Sequence, residues 1–540
     1  MRVSKLVLLS ALIVLSSCGV TSKGSHKRSN NQSSTSGATT SGVSSSATSS
    51  ASSTSHSSPF PTSTSTSTSI PVDIELDDIP VNFTAINDFH GQLDEEEDDY
   101  RVGIAKMASY LKDRKAQGDI LISSGDNYQG SYLCNVDKGE FVSDVFKYVG
   151  FDAYTIGNHE FDWGVDSILA NEVALGQKFL GANIYNYPKG SEWTKSSLGE
   201  KYRIVKLYEG TKFEVTVGII GVIGRDQITS ITSTFVEDYI FLDPTNIVKD
   251  LANELRDEKG CDAVIASYHS DDADTSISNY VDAVFQAHTH KYQKEIVNGV
   301  PFLQASAYSR GVSSVSFSFN KNTHTLTLNS ANYEYLSQKD LEPETLVANE
   351  LASLKQSHSS EFNDVIGTNA TGGEIDAYDM SKFYAKLSYD RAKSAYSTYD
   401  IKGCIFNVSR RELKAGDFTY SDLFETHPFL NDIYILSVSD SNINTQVGWS
   451  YGYMDPEFTS TGSSSVYYDV LVFNYNGFHI GVNDYDEKYY NYFSSAFSAG
   501  AEHPPVKLSF NCFDTAVDWL TTHHNITTSD FSGSGFFPNY

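Results

Sequence analysis

Between Val81 and Leu328 short apolar runs are repeatedly broken by polar and glycine-bearing residues, and five of the breaks carry side chains of metal-binding type. The runs are Val81–Ile86, Ile120–Ser123, Ala153–Ile156, Val215–Ile223, Ala263–Ser267, Asp282–Phe285, Val300–Leu303, Val315–Phe319 and Thr325–Leu328. Most are short and rich in branched or aromatic residues, which predicts buried strands. Between them the sequence predicts helices over Gly103–Lys115 and Phe141–Val149. Strands interleaved with helices predict an α/β domain with a mixed sheet.

The five breaks are where chemistry can sit. Asp88 and His90 are two residues apart, so an extended backbone would place both on one face, able to hold one cation. Asp126 follows Ser124-Gly125, and its two carboxylate oxygens can bridge two cations. Asn158 offers a neutral oxygen, and its neighbour His159 is free for acid–base work. His269 ends the fourth segment, and His288 and His290 again form an alternating pair. Singly, each has a bland reading as a surface pair, a turn or a satisfied core histidine. The acidic run Asp94–Asp99 reads as a solvated loop rather than as ligands.

Taken in order, Asp88-x-His90, Gly125-Asp126-Asn127, Gly157-Asn158-His159-Glu160, His269 and His288-x-His290 resemble the calcineurin-like metallophosphoesterases. The run Asn158-His159-Glu160-Phe161-Asp162 resembles the 5'-nucleotidase branch in particular. The resemblance implies an N-terminal β-sandwich flanked by helices in α/β/β/α layers, followed by a second, α+β 5'-nucleotidase-like domain. It implies two divalent metal ions, Zn, Mn or similar. Asp88, His90 and His290 would hold one, Asn158, His269 and His288 the other, and Asp126 would bridge them. His159 would donate to the phosphoryl or leaving-group oxygen, oriented by Asp162. Hydrolysis would run through a dinuclear metal-bound hydroxide, since paired cations neutralise the ester and lower the pKa of a bridging water. Two supporting loops depart from the family pattern: Gln286-Ala287 precedes the last pair where glycine is usual, and Ser270-Asp271-Asp272 follows His269.

A helix predicted over Pro343–His358 would bridge to the second domain, with Val347, Leu351 and Leu354 at helical spacing and Pro343 in the first turn. By the resemblance it lies in the hinge about which the second domain swings. There, Phe406-Asn407-Val408-Ser409-Arg410-Arg411 matches a shortened substrate signature in which Arg410 or Arg411 would contact phosphate. His427-Pro428-Phe429-Leu430-Asn431 resembles the segment whose Phe stacks on a nucleobase with the Asn beside it. A second stacking ring should precede Gly-Gly-Asp, which is missing; Phe493 and Phe497, ahead of Ala499-Gly500, are the nearest candidates. A further expected arginine has no counterpart, Arg391 falling too late.

The flanks fill in the setting. Residues 1–18 join a basic start to an apolar run from Leu6 to Leu15 and end at Cys18, resembling a bacterial lipoprotein signal whose cysteine is lipidated. Residues 19–70 are Ser/Thr-rich and read as a disordered tether. The expected plan is thus signal to 18, tether to 70, catalytic domain 71–342, linker helix 343–361 and substrate-recognition domain 362–540, lipid-anchored on the extracellular face of the bacterial membrane. A net charge of −29 argues against nucleic acid as the main partner. The expected activity is release of phosphate from extracellular nucleotides. The alternatives are a 2',3'-cyclic nucleotide phosphodiesterase or UDP-sugar hydrolase, and, in another class, a non-catalytic surface binding or adhesion lipoprotein. Cys134, Cys261, Cys404 and Cys512 are widely spaced without a CxxC pattern, and neither their pairing nor the oligomeric state is legible.

Overall fold

Strand Ile79–Ile86 is buried along almost its whole length, because it lies inside a sheet covered on both faces. It pairs antiparallel with Gly311–Asn320, Val81 opposite Phe317, and parallel with Ile120–Ser123, Ala85 opposite Ile122. The computed structural model describes residues 58–61, 75–186, 194–196, 198–406, 408–430, 432–447, 450–473, 477–483, 486–491 and 505–537. The first sheet runs in the order Thr325–Tyr335, Gly311–Asn320, Ile79–Ile86, Ile120–Ser123, Ala153–Tyr154. The second runs Tyr292–Val297, Val300–Ala305, Ala283–Gln286, Ala263–His269, Val215–Ile223, Tyr202–Leu207.

The two sheets share a core that includes Val81, Phe83, Ile122, Val217, Ile219, Ile265, Phe285 and Phe317. Helices Gly103–Ala116 and Glu140–Val149 cover the outer face of the first sheet through Ile104, Leu111, Val145 and Phe146. Helix Pro244–Asn253 covers the second through Val248 and Leu251. The layering is therefore α/β/β/α. Ile79–Ile86, Ile120–Ser123 and Ala153–Tyr154 run parallel in one sheet, as do Ala263–His269 and Ala283–Gln286 in the other. Their carboxyl ends, where ligands gather in such sheets, supply all five breaks singled out above.

Two features differ from the sequence reading. The linker helix is Thr345–Ser357, starting two residues later, because the Glu344 carboxylate accepts the Val347 amide at 3.0 Å and caps it. Pro343 lies outside the helix. Phe60, inside the stretch read as a tether, is buried and stacks on Tyr148 with ring centroids 5.2 Å apart, so the covering of the catalytic domain begins before residue 70. Cys134, Cys261, Cys404 and Cys512, whose pairing the sequence leaves open, are all buried and free.

The second lobe is built on a six-stranded sheet ordered Val506–Asn511, Asp432–Ser439, Tyr467–Phe473, Ile401–Phe406, Tyr451–Met454, Phe536–Phe537. Helices Ala377–Ala395 and Cys512–His523 pack on it through Phe383, Tyr384, Phe513 and Leu520. A small sheet of Gly416–Thr419, Val365–Asn369 and Asn525–Ile526 lies beside it. Cys18 and the tether other than 58–61 lie outside the described residues. Among the described residues no helix is long and apolar enough to cross a membrane.

Candidate metal centre and active site

The first two breaks are stitched to each other before any side chain is considered. The amides of Asp88, His90 and Gly91 donate to the carbonyls of Gly125, Asp126 and Asn127 at 3.0, 2.9 and 2.8 Å. Buried Glu160 fastens the third break to the second, accepting from the amides of Gly157 (2.6 Å), Asp126 (3.0 Å) and Asn127 (2.8 Å). Burial raises the Glu160 carboxyl above its usual range, and the neighbouring Asp126 charge adds to that. Asn87 ties the first break to the second sheet by accepting from the Ala305 amide at 3.1 Å. Both Asp88 oxygens accept the His288 amide at 2.9 Å.

These loops are turns, not extended continuations of their strands. Asp88, His90, Asp126, His288 and His290 have φ of 49°, 51°, 57°, 76° and 57°, so five of the seven candidate ligands sit in the left-handed region. Each pair therefore converges through left-handed turns rather than through strand alternation. Such residues are uncommon except for Asn, Asp and His, and the conformation persists only where the surroundings over-determine it. The interlocking amide bonds do that here.

All seven side chains meet. His269 Nε2 lies 3.1 Å from Asn158 Oδ1 and 3.2 Å from Asp126 Oδ2, and His288 Nδ1 lies 3.0 Å from Asn158 Oδ1. On the other side His90 Nε2 is 3.1 Å from His290 Nε2 and 4.0 Å from Asp126 Oδ2, and His290 Nε2 is 3.7 Å from Asp88 Oδ1. Atoms bound to one cation at about 2.1 Å stand about 3.0–3.4 Å apart in octahedral or tetrahedral geometry. Most of these separations fall in or near that range. The donor chemistry of three of the four histidines fits as well, while the Asp126 carboxylate outweighs burial and pushes His269 up to about 9. Burial holds His90 well below its ordinary pKa and lowers His288 to about 4 and His290 to about 3, so these rings are neutral, the form that binds metal. His90 and His269 each turn Nδ1 to a backbone carbonyl, of Gln129 at 3.1 Å and Ser124 at 2.8 Å, leaving Nε2 for the site. The residues present thus suit divalent cations.

His159 stands beside this cluster. Its Nδ1 is 2.7 Å from Asp162 Oδ2 and its amide donates to Asp126 Oδ1 at 2.8 Å. Burial alone would keep the ring neutral, but Asp162 and Asp126 outweigh it and raise its pKa to about 9. The ring is thereby held protonated and oriented.

The two arginines part company. Arg411 pairs with Glu96 of the first lobe and Glu425 of the second, so it clamps the lobes. Arg410 turns inward: Nη1 donates to the Gln129 carbonyl at 3.0 Å, and its charge contributes to holding the pKa of His90 and His290 down. Among the described residues no carboxylate lies within ion-pairing distance of it. Phe429 stacks on His159, centroids 5.5 Å apart and planes 25° apart, with His427 at its edge 5.7 Å away. Asn431 and Phe497, like Phe493 and Cys18, fall outside the described residues. Within the acidic run, Asp94 pairs with Lys355, Glu95 with Lys106 and Asp99 with both Arg101 and Arg310.

Three contributors escaped sequence reasoning. Glu160 was visible only as part of a motif, although a carboxylate beside a glycine-flanked ligand loop is suited to collecting amides. Gln129, whose side chain donates to the Pro428 carbonyl at 2.6 Å, and Tyr308, whose ring lies 5.2 Å from His90 and 5.0 Å from His290, gave no signal.

Comparison with known proteins agrees with this geometry. The calcineurin-like phosphoesterase family matches residues 81–292. The chain is 26% identical over 422 residues to "Endonuclease YhcR" of Bacillus subtilis, covering 71% of this chain but 34% of that protein, so it spans about a third of that relative's length. It is 23% identical to the "Apyrase" of Tabanus yao, covering 72% of this chain and 74% of that one. Among solved structures, a 5'-nucleotidase precursor from Thermus thermophilus superposes with a TM-score of 0.65 at 16% identity, over 83% of this chain and 97% of its own.

Proposed function

We propose, for a chain that belongs with the calcineurin-like phosphoesterases and counts 5'-nucleotidases among its relatives, that it releases phosphate from extracellular nucleotides at the seven-ligand centre. One observation carries the reading: seven side chains of ligand type from both sheets converge beside a carboxylate-oriented histidine, facing an arginine that pairs with no carboxylate among the described residues.

Asp88, His90 and His290 would hold one divalent cation, Asn158, His269 and His288 a second, with Asp126 shared. Bound there, the ions supply charge neutralisation and activation of water, which phosphate esters need. The chain's own residues do the rest. Arg410 grips a phosphoryl oxygen with a charge that nothing else consumes. Asp162 fixes Nδ1 of His159, so the ring presents its other proton to the phosphoryl or leaving oxygen, a contribution of about 10²–10⁴-fold. Phe429 stands over that histidine, at the side where a leaving nucleoside would lie.

A second reading is phosphodiester cleavage, supported by the likeness to the Bacillus endonuclease across 422 residues. Anchoring through Cys18 at the outer membrane face is part of the proposal and rests on the leader sequence. The test is metal content, phosphate release from AMP, and cleavage of 2',3'-cyclic AMP to adenosine monophosphate, of a UDP-sugar to UMP and sugar phosphate and of single-stranded DNA to shorter fragments, with added Mn, Zn or Mg, for wild type and Asp126→Ala. Phosphate from AMP that Asp126→Ala loses along with its metal supports the reading. A wild type that binds no metal and cuts none of the four favours the non-catalytic binding protein instead.

A further inference from the structure

Arg410 reaches the centre from the other lobe, and something must aim it. Its guanidinium carbon lies 4.8 Å from the centroid of the Tyr308 ring, and its Nη1 donates to the Gln129 carbonyl, which His90 Nδ1 also uses. Tyr308 belongs to the first lobe. Its amide donates to the Asp88 carbonyl at 2.8 Å, and its ring touches His90 and His290. The segment that carries it is contorted: Ser306, Tyr308 and Ser309 have φ of 60°, 55° and 58°, and a left-handed backbone is a genuine outlier for a bulky aromatic. That conformation puts the ring between the ligand imidazoles and the arginine.

Two more arginines lie on the same ring, Arg101 at 4.5 Å and Arg310 at 5.2 Å. Both pair with Asp99, and Arg101 also lies 3.6 Å from Glu96, whereas Arg410 pairs with no carboxylate among the described residues. The π-face of tyrosine attracts guanidinium groups through their charge without neutralising it or occupying their N–H donors. A carboxylate would hold Arg410 as firmly but would consume the charge a phosphate needs.

We propose that Tyr308 is the positioning residue for Arg410, a plate in the metal lobe on which the arginine of the other lobe is laid in register for the phosphoryl group. This rests on the reading of Arg410 as a phosphate ligand given above. Losing a cation–π contact in a desolvated site corresponds to about 5- to 30-fold in kcat/KM, here mainly through KM.

The experiment is a double-mutant cycle on the metal-loaded full chain, reading KM, kcat, competitive inhibition by inorganic phosphate and bound metal. The expected result has four parts. Tyr308→Leu raises KM and weakens phosphate inhibition by the factor above with metal content unchanged. Tyr308→Phe, which keeps the plate, stays within about threefold of wild type. Arg410→Ala weakens both phosphate readouts at least as much. Adding Tyr308→Leu to Arg410→Ala then costs less than about twofold more. Should Tyr308→Leu fail to fold, Tyr308→Asn, a residue that takes the left-handed backbone readily, serves in its place. Additive losses, or loss of metal in both ring-less variants, would overturn the proposal and leave the ring as a support for His90 and His290. If Arg410→Ala alone leaves KM and phosphate inhibition unchanged, the phosphate-ligand reading fails first, and this inference falls with it.

Discussion

Substituting Gly157 by alanine tests the centre through its scaffold rather than its ligands. A Cβ on Gly157 would stand 2.7 Å from the Asp126 amide nitrogen, 2.7 Å from His269 Cε1, and closer still to Asp126 Oδ1, whereas ordinary contact begins at 3.4 Å. Asp126 and His269 must therefore retreat by at least 0.7 Å, from 2.7 to 3.4 Å. Metal-ligand distances tolerate only about ±0.2 Å, and both displaced residues belong to the ligand set, one of them shared. Misplacing a reacting centre by about 1 Å costs on the order of 10²-fold. Gly157→Ala should thus fall about 100-fold or more in phosphate release from AMP and lose bound metal. Circular dichroism and the melting temperature should report a folded chain. Metal content by elemental analysis separates loss of the site from loss of the fold, and Gly373→Ala, whose added methyl meets nothing within 4 Å, is the control. A Gly157→Ala protein with full metal and full activity would show that Asp126 and His269 are not ligands in this arrangement.

Two further outcomes follow from particular contacts. Phe429→Ala should raise KM for AMP by about 5- to 100-fold, the range for losing one base–aromatic stack, while KM for glycerol phosphate moves less than about twofold; equal losses on both substrates would show that the ring serves His159 alone. Glu344, which caps the linker helix and binds Lys112 and Tyr148, is depressed to about 2 because those partners outweigh its burial. Its stabilising effect is present above the unfolded carboxyl pKa of about 4.3 and is lost as pH falls from there to about 2. The melting temperature of the wild type should therefore drop more steeply over that window than that of Glu344→Gln, and parallel curves would refute the assignment.

Much of the first lobe was legible because its strands are buried on both faces and so read as unbroken apolar runs. Ile120–Ser123 and Val215–Ile223 occupy the residues their composition predicts. Thr325–Tyr335 runs seven residues past its predicted end, because it is a half-exposed edge strand whose polar residues pair with Gly311–Asn320 across a bulge at Ser316/Phe317. The ligands were legible as residue types at strand ends. The backbone that gathers them was not: nothing in Asp88-x-His90 announces two left-handed residues, since those are imposed by amide bonds to Gly125, Asp126 and Asn127 from a distant part of the chain. The adjacent arginines were indistinguishable for a related reason. Only the partners Glu96 and Glu425 on one side and Tyr308 on the other decide that Arg411 clamps and Arg410 reaches.

The same contacts argue that the position of the second lobe and the state of the centre are one variable. A single peptide carbonyl, that of Gln129, accepts both from the metal-lobe ligand His90 and from Arg410 of the second lobe, while the Gln129 side chain donates to Pro428 beside Phe429. Gly130 must lack a Cβ because Arg410 and the His90 carbonyl occupy that space. Parting the two lobes would take Arg410 from the centre, uncover His159 and leave the Gln129 carbonyl to His90 alone. A lobe that merely delivered substrate would need none of these shared atoms. Their presence argues that chemistry waits on docking, so variants that loosen the Arg411 clamp to Glu96 and Glu425 should slow kcat as well as raise KM.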